Sequence, residues 1–113
     1  MTTADDYGHA GRHLEALRAD LAAANFRLPI RFGGYGPSGA HVGEYRFQIG
    51  PGYSVYVQAP VTPAGRPRQR HPGHWRYKPY GPYPWRYAAN RRAVVAAILA
   101  LARQYWDGTG PAR

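Results

Sequence analysis

Two segments, one near each end of the chain, carry apolar residues at the spacing of an amphipathic helix. The first predicts a helix within residues 1–26, capped by Thr3, and the second predicts a helix within residues 85–108, ended by Gly108. The apolar stripes consist of Ala10, Leu14, Leu17, Leu21 and Ala24, and of Val94, Ile98, Leu101 and Tyr105. The longest apolar run, residues 93–102, is well short of the roughly 20 residues that a membrane span needs, so we expect a buried helix there.

Between the helices, apolar and polar residues alternate with the period of two that is typical of strands. Alternation over residues 44–49 and 53–59, around the turn at 50–52, predicts a β-hairpin. Residues 28–32 predict an edge strand, because Pro29 cannot donate a ladder hydrogen bond, and residues 33–39 predict a glycine-rich loop. With a short edge strand at 74–78, the sheet has three or four antiparallel strands, and residues 27–59 form its main part.

Residues 60–84 lie between the hairpin and the second helix and predict a long basic loop rich in proline and tyrosine. Tyr77, Tyr80 and Tyr83 recur at every third residue, which is the period of a polyproline helix. We therefore expect residues 79–84 to be extended, with the three rings along one edge.

These elements predict a single α+β domain over residues 1–113, with the C-terminal helix packed on the sheet. The sequence contains no cysteine, which excludes a disulfide scaffold, a thiol nucleophile and a Cys-ligated metal site. Residues 1–13 lack the apolar stretch of a secretory signal. We therefore expect a soluble, cytoplasmic protein.

The charge of the protein is distributed unevenly along the chain. The formal net charge is +9, and residues 45–106 contain basic residues but no aspartate or glutamate. Each guanidinium in this stretch must face water, a carbonyl oxygen, an aromatic ring or an external anion. One interpretation is a basic surface that is merely solvated, with arginine enriched by a GC-rich genome, and the other is a surface that binds a polyanion.

Residues 66–92 interleave basic and aromatic side chains, the composition of a surface that neutralises phosphates and stacks on bases. We expect phosphate contacts from Arg66, Arg68, Arg70, Arg76, Lys78, Arg91 and Arg92, and stacking by Trp75, Tyr77 and Tyr80. The leading hypothesis is a non-enzymatic module that binds nucleic acid, DNA or RNA, largely independently of sequence, since no recognition helix rich in Asn, Gln and Arg is evident. This hypothesis depends on cations that lack partners within the protein.

Two alternatives remain open. Aromatic residues and arginine are also enriched at protein interfaces, so the ridge of Tyr, Trp and Pro suits an assembly or adaptor protein that binds an acidic protein surface or forms a homo-oligomer. His41, with Glu44 and Arg46, offers the general base, carboxylate and cation of a small metal-free RNase. His71 and His74 lack further ligands nearby in the sequence, and we expect neither a metal nor a cofactor.

Overall fold

Two helices and a five-stranded antiparallel sheet make up the structure, a computed structural model that describes residues 7–24, 30–35, 42–50, 52–67 and 71–104. In chain order the elements are α1 (Gly8–Ala24), β1 (Arg31–Tyr35), β2 (Glu44–Gly50), β3 (Tyr53–Gln58), β4 (Trp75–Pro79), β5 (Arg86–Ala88) and α2 (Arg91–Arg103). Each strand pairs with the strands that precede and follow it along the chain. The α+β class is confirmed, with five strands where three or four were expected.

Helix α1 buries the apolar stripe that its sequence predicted. The buried members are Ala10, Leu14, Leu17 and Leu21. Ala24, at the end of the helix, is exposed, and the expected cap at Thr3 lies outside the described residues. At the start of the helix, the N–H of His9 donates to the carbonyl oxygen of Pro63 at 2.9 Å. A Cβ on Gly8 would overlap that oxygen, and the φ of Gly8 is +55°, so only glycine fits this docking of the loop on the helix.

The predicted hairpin is confirmed as β2 and β3, and its apolar residues share one face of the sheet. Tyr45 pairs with Val57 and Phe47 pairs with Val55, and all four side chains are buried. Both helices pack on this face. The Tyr45 hydroxyl donates to the carboxylate of Glu15 in α1 at 2.5 Å, and α2 contacts strands β2, β4 and β5.

Residues 60–84, expected as a long loop with a short strand at 74–78, contain strand β4 at Trp75–Pro79. This strand lies between β3 and β5, so it is internal and not the edge strand that the sequence predicted. Its alternation directs Trp75 and Tyr77 toward the helices. The expected common edge for the tyrosines is therefore wrong, because sheet pairing fixes Tyr77 against the core while Tyr80 and Tyr83 are exposed beyond the strand.

Helix α2 begins at Arg91, later than the expected start at Trp85. Asn90 is the N-cap, and its side-chain oxygen accepts the N–H of Ala93 at 2.9 Å. Residues 86–88 instead form β5, which pairs with β4. This pairing satisfies N–H and C=O groups of β4 that would lack hydrogen-bond partners if residues 86–88 were helical. Val94, Ile98 and Leu101 are buried as predicted, and the expected end at Gly108 lies outside the described residues. Within the part of the chain described, neither helix is long and apolar enough to cross a membrane.

Strand β1 continues through residues that were predicted to form a loop. It reaches Tyr35, with a shift of register after Phe32. Arg46 of β2 lies across Gly33, whose carbonyl oxygen accepts from Nε at 3.2 Å and from Nη2 at 2.7 Å. A Cβ on Gly33 would lie 2.8 Å from that Nε, so a larger residue at this position would displace the arginine side chain.

Candidate functional site

The face of the sheet opposite the helices is lined by polar, cationic and aromatic side chains. We call it the open face, and strand register assigns to it Arg31, Glu44, Arg46, Gln48, Ser54, Tyr56, Gln58, Arg76, Lys78 and Tyr87. Adjacent strands are about 4.8 Å apart, so side chains that pair across strands are within contact distance of one another. The open face therefore presents its cations and rings as one connected surface.

A hydrogen-bond chain crosses three strands of the open face. The Gln58 amide nitrogen donates to the Glu44 carboxylate at 2.7 Å, and the Gln58 amide oxygen accepts from Nε of Arg76 at 2.7 Å. Glu44 and Gln58 are only 1% and 2% exposed. The Arg76 guanidinium in turn lies 4.4 Å from the centre of the Trp85 ring. The buried carboxylate thus fixes Gln58, and Gln58 holds Arg76 against the indole at the surface.

Lys78 reaches the same ring from the next position of the open face. Its ammonium nitrogen lies 5.5 Å from the centre of Trp85 and 3.4 Å from the carbonyl oxygen of Gly81. Cations within about 6 Å of an indole face are attracted by the electrons of the ring. The positive charges of Arg76 and Lys78 therefore lie close together, beside the ring of Trp85.

Tyr56 and Tyr80 form a second aromatic pair on this face. Their ring centres are 6.0 Å apart at 82°, an edge-to-face contact. Tyr56 is nearly buried, and burial, reinforced by Tyr80, raises its pKa, so its hydroxyl stays protonated and able to donate. Tyr80 is 64% exposed. The pair therefore combines a fixed inner ring with an accessible outer ring.

The sequence-based expectation that the cations lack internal partners is wrong for Arg46, Arg76, Lys78 and Arg91. The first three bond to a carbonyl or amide oxygen or lie against a ring, and these partners are neutral. Such contacts orient a cation but leave its charge uncompensated. Arg91 differs, since its Nε lies 2.6 Å from the carboxylate of Asp20 on α1.

Carboxylates are distributed unequally between the two faces. Among the described residues, Glu15 and Asp20 belong to α1, on the helical side, and Glu44 is the one carboxylate on the open face. Because Glu44 is buried beneath Gln58 and Arg76, the described part of the open face exposes cations without an exposed carboxylate. The exposed charges of the described part of this face are therefore positive.

The structure brings together three of the side chains predicted to bind: Arg76, Lys78 and Tyr80 all lie at the open face. It separates two others from them. Trp75 is 3% exposed and packs edge-on against His13 of α1, and Tyr77 packs against the core. Trp75 is therefore inaccessible to a base, and Tyr77 lies partly buried on the opposite side of the sheet from the cations.

The remaining predicted residues are dispersed. Arg91 and Arg92 are exposed in the first turn of α2, and Arg91 is paired with Asp20. Arg66 lies in the loop that docks on the start of α1, where its backbone N–H donates to the Thr62 hydroxyl at 3.2 Å. The other two arginines of that loop, Arg68 and Arg70, lie outside the described residues.

Several residues of the open face were missed as binding residues in the sequence. They are Arg31, Gln48, Ser54 and Tyr56, together with Arg46, which the sequence suggested only as the cation of an RNase; Trp85, against Arg76 at the border of this face, was missed as well. The signal for most of them was present, because the apolar residues of the hairpin fix one face and the intervening polar residues must occupy the other. The position of β4 beside β3 was needed to extend that row to Arg76 and Lys78.

The histidines do not assemble a catalytic or metal site in the described part of the chain. His41 lies outside it, and of its expected partners Glu44 accepts from Gln58 and Arg46 donates to the carbonyl oxygen of Gly33. His71 packs against Tyr87 with ring centres 4.0 Å apart. No group of three or more metal-ligating side chains occurs among the residues described.

Comparison with known proteins adds no family to this geometry. The chain matches no protein-family model, no curated protein and no solved structure. Any function assigned to the protein must therefore be argued from the residues and contacts of the open face.

Proposed function

We propose that this protein binds single-stranded nucleic acid across the open face of its sheet. The observation that carries the proposal is the exposure of Arg31 and Arg46, together with Arg76 and Lys78 around Trp85, on a face with no exposed carboxylate among the described residues. A surface of this kind attracts a polyanion, and its rings supply stacking contacts.

The internal contacts of the cations are compatible with phosphate binding. Arg76 uses Nε to bond Gln58 and lies over the ring of Trp85, and its other N–H groups, which bond nothing among the described residues, can bond an oxyanion. Arg46 likewise retains N–H groups beyond those that bond Gly33. Because their side chains are already ordered, less rotamer entropy is lost when a phosphate binds.

The shape of the face favours a single strand over a duplex. Major-groove recognition of duplex DNA places a helix or a two-stranded ribbon between the phosphate backbones. Here the cations and accessible rings lie on a broad sheet, and the basic start of α2 is partly neutralised by the pair of Arg91 with Asp20. Unpaired bases can stack on exposed rings such as Tyr80, whereas bases within a duplex are already stacked on their neighbours.

Fluorescence anisotropy of a labelled single-stranded oligonucleotide of about 12 nucleotides, titrated at several salt concentrations, tests the proposal. Each phosphate contact should contribute about −0.7 to the slope of log K against log salt. Lys78→Gln should make the slope shallower by about 0.7. Arg103→Gln is the matched control, because it removes an exposed positive charge from the helical layer and should leave the slope unchanged.

Absence of binding at about 50 mM salt would refute the proposal, as would equal effects of the two variants. Tight binding of polyglutamate without binding of the oligonucleotide would instead support the adaptor alternative.

The cytoplasmic location expected from the sequence stays a prediction.

A further inference from the structure

A half-open cavity of about 500 Å³, accessible to solvent along one side, lies on the open face at the turn end of the β2–β3 hairpin. The side chains that matter for its chemistry are Arg46, Gln48, Tyr53, Ser54, Tyr56 and Tyr80. Small-molecule sites commonly have volumes of about 300–1,000 Å³. The cavity therefore has the size of a site for one compact ligand, and its lining is cationic, aromatic and polar.

The aromatic side chains provide a floor and a rim. Tyr56 is buried at the base of the cavity, and Tyr80 stands against it edge-to-face. Tyr80 is 64% exposed and Tyr53 is 39% exposed, a high accessibility for residues of this size. The backbone N–H of Tyr80 donates to the carbonyl oxygen of Ser54 at 2.9 Å, so the outer ring is anchored to β3 although its side chain faces solvent.

The polar side chains of the lining can bond the phosphate of a nucleotide and the polar edge of its base. Arg46 is one of the lining residues, and the two hydrogen bonds that hold its guanidinium on Gly33 leave further N–H groups available for a phosphate. Gln48 and Ser54 pair across the hairpin, which places an amide and a hydroxyl next to each other in the lining. An amide that both donates and accepts can bond the edge of a base.

We infer that this cavity holds one unpaired nucleotide of the bound strand, with its base against Tyr80 and its phosphate at Arg46. The inference rests on the proposed function and adds to it the class of subsite. A base enters such a cavity only when it is not stacked between neighbours in a duplex. The cavity would therefore contribute the preference for single strands, while Arg76 and Lys78 contribute charge.

The test compares binding of two oligomers of about 12 units, oligothymidylate and an abasic oligomer that has the same phosphates but no bases. The difference in affinity between them measures base recognition separately from charge. The wild-type protein should bind the thymidylate about tenfold more tightly, which corresponds to one base–ring stack. Tyr80→Ala should reduce this ratio to near one without changing affinity for the abasic oligomer. Tyr83→Ala is the matched control, because Tyr83 is also an exposed tyrosine, 51% accessible, but lies outside the cavity lining.

The outcomes distinguish the inference from the function beneath it. If the wild type binds both oligomers equally and tightly, the proposed function stands and the nucleotide subsite is refuted. If Tyr80→Ala keeps the tenfold ratio, or if Tyr83→Ala loses it as well, base recognition lies outside the cavity and the inference is wrong. If neither oligomer binds, the proposed function itself fails.

Discussion

Replacement of Gln58 by leucine tests whether the hydrogen-bond chain of the open face stabilises the fold. Gln58 is buried, donates to the carboxylate of Glu44 and accepts from Arg76, each at 2.7 Å. Gln58→Leu keeps a similar volume but removes both bonds. Glu44 then loses a donor in a place that water reaches poorly, because the carboxylate is 1% exposed.

The expected cost follows from the charge of the two partners. A hydrogen bond to a charged group contributes about 1.5–3 kcal/mol, and two of them are lost. Burial of the leucine side chain returns about 1.5–3 kcal/mol at most, and the half-buried Arg76 can bond to water instead. The net loss in the free energy of unfolding should be about 2 kcal/mol.

Urea unfolding followed by circular dichroism measures this loss. For a domain of this length, about 2 kcal/mol corresponds to a fall of roughly 1 M in the urea midpoint. Gln48→Leu is the matched control, since Gln48 lies on the same face of the adjacent strand but is exposed, with a single long contact of 3.5 Å to the carbonyl oxygen of Gly50. It should change stability by no more than about 0.5 kcal/mol. Equal midpoints for the two variants would refute the reasoning, since they would mean that water replaces the bonds of Gln58 without cost.

Two further predictions concern the helices. Burial, and then the charges of Arg12 and Arg91, lower the pKa of His13 below 6.5, so the unfolded chain takes up a proton at higher pH than the native protein does. Thermal stability should therefore fall as the pH is lowered through about 6.5, the pKa of an unperturbed histidine, and His13→Gln should flatten this dependence. An unchanged slope in the variant would contradict the assignment. Asn90→Ala should lower the free energy of unfolding by about 1 kcal/mol, because the N–H of Ala93 loses its cap. Asn90→Asp keeps an acceptor oxygen and should retain most of the stability of the wild type. Urea midpoints that fall equally in both variants would exclude a capping role.

The sequence by itself determined the elements that depend on local pattern. The stripe from Ala10 to Leu21 and the stripe from Val94 to Leu101 predicted which helix faces are buried. The alternation on either side of the turn near Gly52 predicted the hairpin and its apolar face. In each case the deciding interaction is burial of apolar side chains at a fixed period, which neighbouring residues in the chain already display.

Only the tertiary structure decided which cations and rings meet. Arg76 alternates with Trp75 and Tyr77, and the sequence could not assign these residues to faces until β4 was placed between β3 and β5. Likewise, Asp20 compensates Arg91 from a helix far away in the chain. Strand pairing is a contact between distant segments, and a shift of one residue in register would send every side chain of a strand to the opposite face. For this reason the sequence showed that basic and aromatic residues are abundant, but it did not show that they lie together on the open face.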